Sequence, residues 1–118
     1  MHMVLLIEDQ PDVATMIELM ISKNGHRSLL ATNVAEAQNL WKEHHAEITL
    51  VLADHTLPDG SGIDFANQVR AANPSLPIVI TSGMACAGAP HNFLRLDKPF
   101  TVAEFKRLIA TISPPSGG

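Results

Sequence analysis

Five short apolar runs, at residues 4–7, 28–31, 48–53, 78–81 and 93–96, alternate along the chain with stretches whose apolar residues recur at helical spacing. No other feature limits the fold as much. Most runs carry aliphatic or β-branched residues on consecutive positions, the pattern of strands covered on both faces. Between the first two, Val13, Met16, Ile17, Met20 and Ile21 fall at i, i+3, i+4, i+7 and i+8, which predicts a helix with the Met16–Met20 pair in the core. Pro11 suits its first turn and Asn24-Gly25 its end. Asn33 is placed to cap a second stripe of Val34, Ala37, Leu40 and Trp41, the last packing its helix on the sheet. Ile63, Ala66 and Val69 mark a third, ended by Asn73-Pro74. Thr101, with Glu104 three residues on, is a capping box opening a last stripe of Val102, Phe105, Leu108, Ile109 and Ile112.

Strands alternating with helices imply right-handed crossovers and an open, doubly wound α/β sheet with helices on both faces. Such sheets carry their sites where the strands end. One connection is weak. Only eleven residues, SGMACAGAPHN, separate Thr81 from Phe93, and two helical turns would use about seven of them. A short or irregular fourth helix is expected there. Residues 1–112 are expected to form the domain, and 113–118, SPPSGG, a disordered tail or linker stub.

Composition removes several classes of function. A length of 118 residues suits one domain. Eight basic against twelve acidic residues give a net charge of −4, with no basic cluster and only four Phe and one Trp. Direct nucleic-acid binding, which needs phosphate-neutralising cations or stacking platforms, is not expected. The single cysteine, Cys86, allows no internal disulfide and lacks a nearby base that would activate it. The start has neither the basic leader nor the apolar length of a signal peptide. No run approaches the ~20 apolar residues of a membrane span. The expected setting is cytoplasmic, without membrane insertion.

The polar residues that follow the strands carry the chemistry. The first strand is followed by Glu8-Asp9, the third by Asp54, the fourth run closes at Thr81-Ser82, and the fifth leads to Lys98-Pro99. On a parallel sheet these share one edge. Three neighbouring carboxylates repel one another unless a cation offsets them. A hard divalent ion with oxygen ligands does so, and Mg²⁺ suits a few carboxylates plus water. One carboxylate oxygen then remains able to attack an electrophilic phosphorus, with metal, Lys98 and Thr81 stabilising the transferring oxygens.

Glu8-Asp9, Asp54, Thr81 and Lys98-Pro99, with the loop LPDGSG after Asp54, resemble the receiver domain of two-component response regulators over residues 3–112. The resemblance implies a flavodoxin-like, five-stranded parallel sheet of order 2-1-3-4-5. It implies Asp54 as phosphoacceptor, taking a phosphoryl group from a histidine kinase or histidine phosphotransfer protein. Asp9 and Asp54 would ligate Mg²⁺ directly, Glu8 through water, and Thr56 through its backbone carbonyl. Thr81 and Lys98 would bind the phosphoryl oxygens, Ser82 would keep the access small, and the Lys98-Pro99 bond would be cis. The domain would be a signalling switch that assists its own phosphorylation and dephosphorylation rather than an enzyme. Its output would run through a partner or an attached domain. The run Ile-Thr-Ser-Gly, a short segment, then Lys-Pro-Phe-Thr also looks like the receivers at the carboxyl ends of hybrid histidine kinases.

One position departs from the family. Arg95 stands where the family keeps a Tyr or Phe that swings inward with the Thr, and Phe93 lies two residues upstream on the same strand face. The alternatives are a receiver-like binding module that is not phosphorylated and an aspartyl-phosphate phosphatase of the haloacid dehalogenase type. The second needs an Asp two residues after the nucleophile, where this chain has Thr56. A flavin carrier is disfavoured because the acidic loop EDQPD would repel a phosphate. His55, beside the acceptor, is expected to be exposed at a partner interface, and His44-His45 to be a solvated helix end.

Overall fold

The computed structural model describes residues 1–83 and 93–112. Strand β1 (Met3–Ile7) leads into α1 (Pro11–Lys23), then β2 (Arg27–Ala31), α2 (Val34–His44) and β3 (Leu50–Asp54). A small hairpin, β4 (Thr56–Leu57) and β5 (Gly60–Ser61), precedes α3 (Gly62–Ala72) and β6 (Ile78–Ser82). Strand β7 (Leu94–Asp97) and α4 (Val102–Thr111) complete the described elements. The five long strands are parallel in the order β2-β1-β3-β6-β7. Counted among themselves they read 2-1-3-4-5, the flavodoxin-like order expected.

Consecutive apolar residues are needed because the sheet divides two cores. Alternate strand residues face opposite ways. Leu5, Ile7, Val51, Ala53, Ile78 and Ile80 point to one side, against Ala37 of α2 and Phe65, Ala66 and Val69 of α3. Val4, Leu6, Leu50, Leu52, Val79 and Leu96 point to the other, against Ile17, Met20 and Ile21 of α1 and Phe105 and Ile109 of α4. Each fully buried aliphatic side chain is worth ~1.5–3 kcal/mol relative to exposure. A polar residue on either face of β1 or β3 would therefore be costly.

The helix ends follow the capping chemistry. The Asn33 side chain accepts from Glu36 N–H at 2.8 Å. Thr101 and Glu104 bond reciprocally as the capping box requires. Gly25 takes φ +81° just past α1, a left-handed closure that suits glycine. The third helix ends at Asn73 as its pattern requires; Ser61 caps its start, and Phe65 joins Ala66 and Val69 on its buried face.

Two apolar assignments are corrected. Met20 is buried, but Met16 is 51% exposed. The buried arc of α1 runs through Ala14, Ile17, Met20 and Ile21. At ~100° per residue, Met16 falls beyond its edge. Val102 is also exposed. It is the first residue of α4, where the helix's buried face begins only at Phe105. Trp41 is half-buried against the α2–α3 core, as its stripe required. The short fourth helix, Cys86 and the 113–118 tail fall outside the described residues.

Candidate functional site

Strand register brings the reactive residues to one edge. Ile7 lies beside Ala53, so Glu8 and Asp9 leave β1 level with Asp54 at the end of β3. Asp54 in turn pairs with Thr81, and Ser82 with Asp97, the residue before Lys98. Oxygens from Glu8, Asp9 and Asp54 come within 4.8 Å of one another. Glu8 is 1% and Asp54 8% exposed, whereas Asp9 faces solvent.

The Lys98 ammonium sits between the two buried acids, 2.5 Å from Glu8 Oε1 and 3.0 Å from Asp54 Oδ2. The remaining oxygens meet backbone donors. Gln10 N–H donates to Glu8 Oε2 at 3.1 Å, and Thr56 N–H to Asp54 Oδ1 at 3.4 Å. Burial pushes the Glu8 carboxyl above its ordinary pKa; the Lys98 and Gln10 bonds oppose the rise and the nearby Asp54 charge adds to it. For Lys98, burial alone would lower the pKa. The bonds and charges of Glu8 and Asp54 together outweigh it, so the ammonium is held above its usual range.

Three carboxylates therefore cluster around a single ammonium that pairs with two of them. The donor set is all oxygen, closely spaced and in excess negative charge, which fits a hard divalent cation better than a thiol- or imidazole-seeking metal.

The backbone around Asp54 is rigid. His55 N–H donates to Thr81 C=O at 2.8 Å, and Gly62 N–H donates to His55 C=O at 3.0 Å. A Cβ on Gly62 would lie 1.8 Å from the Asp54 carbonyl oxygen, so only glycine permits this approach. His55 itself is half-buried rather than exposed. The Thr81 hydroxyl is buried and makes a long 3.5 Å bond to the Ala53 carbonyl. Ser82 Oγ donates to Asp97 Oδ1 at 3.4 Å, and the same oxygen pairs with Arg95 at 3.3 Å. Arg95 thus lies along the rim, while Phe93 packs at the α2–α3 core beneath the Arg70 guanidinium, 4.8 Å from its ring centroid. The Lys98-Pro99 peptide is cis.

Sequence reasoning named every charged member of this cluster. It included Gly62 in the loop motif without the close approach to Asp54 that requires a glycine there, and it missed that the Asp59 carboxylate reaches α2. It also missed a shallow apolar groove beside Lys98, lined by Gln10, Val13, Met16, Ile17, Pro99 and Phe100. Met16 gave the only hint of that groove, and its spacing had suggested core.

The five-stranded doubly wound sheet thus gathers three carboxylates, a threonine and a lysine on one edge. Residues 4–109 match the response regulator receiver domain family, and the chain belongs to it. It is 26% identical over 113 residues to the response regulator protein PilR of Pseudomonas aeruginosa, covering 91% of this chain and 25% of PilR. It is 40% identical over 80 residues to the cell cycle transcriptional regulator CtrA of Caulobacter vibrioides, covering 68% of this chain and 34% of CtrA. The chain thus spans about a quarter to a third of the length of these two relatives. A receiver domain from Clostridium thermocellum has the same fold, with TM-score 0.85 and 22% identity over 95% of this chain and 94% of that one. Among the described residues no helix is long and apolar enough to cross a membrane.

Proposed function

We propose that this receiver domain is a phosphoacceptor switch, with Asp54 taking a phosphoryl group from the phosphohistidine of a histidine kinase or histidine phosphotransfer protein. The observation that carries the reading is the setting of Asp54: one oxygen on the Lys98 ammonium, the other on the Thr56 amide, inside a cluster of three carboxylates. An Asp54 oxygen bonds to phosphorus as the bond from phosphorus to the donor's imidazole nitrogen breaks, and that nitrogen keeps the electron pair. Mg²⁺, held by Glu8, Asp9, Asp54 and the Thr56 backbone carbonyl, would supply positive charge against that gathering on the transferring oxygens.

Lys98 already holds one Asp54 oxygen and needs only a small shift to pair with a phosphoryl oxygen. Thr81 exchanges a weak bond to the Ala53 carbonyl for a charge-assisted one to the phosphoryl group. That exchange couples the added charge to β6 and its neighbours. The groove lined by Val13, Met16, Pro99 and Phe100 offers apolar surface beside Lys98 for the phosphodonor's helix. The domain would span residues 1–112 and act in the cytoplasm as a switch rather than an enzyme, with its output through a partner or attached domain.

Intact-protein mass after incubation with Mg²⁺ and acetyl phosphate tests this. The wild type should gain one phosphoryl group and Asp54→Asn none. Equal gain by the variant would move the acceptor elsewhere. No gain by the wild type, from acetyl phosphate or from purified histidine kinases, would leave a binding module.

A further inference from the structure

The loop that carries Thr56 is held in three ways by its own stem. Thr56 and Leu57 pair with Ser61 and Gly60, Leu57 is buried in the core, and Gly62 N–H closes on the His55 carbonyl. A fourth tie reaches a different element. Asp59 Oδ1 accepts from Val34 N–H at 2.7 Å, and Oδ2 from Ala35 N–H at 3.1 Å. The loop tip also lies against α2, since a Cβ on Gly60 would meet Val34 Cγ2 at 3.4 Å.

This tie is not needed to start α2. Asn33 already caps Glu36 N–H, and the Glu36 carboxylate turns back to accept from the Thr32 amide at 2.7 Å and hydroxyl at 2.6 Å. The helix therefore has its own cap, and Asp59 adds acceptors for the amides of its first two residues. Both Asp59 oxygens are used, so the tip has little freedom to pivot. Those bonds, with Val34 N–H first, also hold the Asp59 carboxyl below its ordinary pKa.

We propose that Asp59 is a positioning residue: by tying the β4–β5 loop to the start of α2, it holds the Thr56 backbone where the acidic edge binds Mg²⁺. The inference rests on the metal reading above. Asp59 touches neither the metal nor the phosphoryl group. It acts through the loop, as groups that orient metal ligands commonly do.

The test is Mg²⁺ affinity by titration calorimetry on the full chain, with thermal stability measured beside it. Asp59→Ala should weaken Mg²⁺ binding about tenfold. Asp59→Asn, which keeps the size of the side chain but only one acceptor oxygen, should fall between and serves if the alanine variant folds poorly. Two controls separate positioning from simpler effects. Asn33→Ala removes a cap from the same helix end and should lower the melting temperature while leaving Mg²⁺ affinity at the wild-type value. Glu36→Gln removes a neighbouring negative charge without touching the loop and should do likewise. Wild-type affinity in both Asp59 variants would overturn the proposal, as would an equal loss in Asn33→Ala or Glu36→Gln. A wild type that binds no Mg²⁺ would fell the metal reading itself, and this inference with it.

Discussion

At the carboxyl edge of the sheet, Glu8 and Asp54 share one ammonium from Lys98, with the Asp9 carboxylate close by. At the amino edge, His2 is equally buried, at 1% exposed, yet its polar atoms meet neutral partners. Its backbone N–H donates to His26 Nδ1 at 2.8 Å, and its carbonyl accepts from Arg27 N–H at 3.0 Å. The Ile112 carbonyl, 3.5 Å from His2 Nε2, accepts only, which assigns the ring proton to Nε2. His2 Nδ1 then accepts from the Thr49 hydroxyl at 2.8 Å, whose oxygen takes Met3 N–H at 2.9 Å. One edge is closed by neutral hydrogen bonds. The other retains uncompensated negative charge. Stability and reactivity are thus separated along the strands, and the edge that must receive a cation and a phosphoryl group is the one left electrostatically incomplete.

Removing the ammonium is the largest way to break this contrast. Lys98→Met leaves Glu8 buried without a counterion and should cost ~3 kcal/mol in urea unfolding. Adding Glu8→Gln should recover most of that loss. A double variant no more stable than the single one would mean that Lys98 matters for packing rather than charge. At the opposite edge the penalty should be smaller. Thr49→Val orphans His2 Nδ1 and Met3 N–H together and should cost ~2 kcal/mol, and a neutral result would show that water replaces the hydroxyl.

The smallest and most discriminating test is pH, because the two edges respond with opposite sign. Burial holds the His2 pKa below 6.5 and also lowers His26, with His2 itself contributing. The unfolded chain binds those protons more readily. The histidine contribution is therefore complete above about 6.5 and is lost as pH falls through that value towards the lowered folded one. Glu8 is raised instead, so its folded form holds a proton more readily, and its contribution falls as pH climbs above the ordinary carboxyl range. Unfolding midpoints between about pH 7 and about pH 5 should decline for the wild type, and less for His2→Gln. An unchanged slope in the variant would assign the acid sensitivity elsewhere.

Much of this molecule is legible because its information is local. Consecutive aliphatics in β1 and β3 require a sheet covered on both sides. Asn33, Thr101 and Gly25 act within a few residues of themselves, and the order of Glu8-Asp9, Asp54, Thr81 and Lys98 along alternating strands already places them on one edge. The family resemblance rested on those same residues. What local pattern cannot supply is the choice between partners distant in sequence. Met16 shares the spacing of a core residue, but which arc of α1 meets the sheet depends on how the helix settles on β1 and α4. Lys98 approaches Glu8 across ninety residues of chain. Asp59 crosses to Val34 because the loop tip comes to rest against α2. His2 reaches Ile112 only after the two ends of the domain meet. Short-range sterics and capping chemistry are written in the order of the residues. Long-range charge pairing and the rotation of each helix emerge only once the whole core packs.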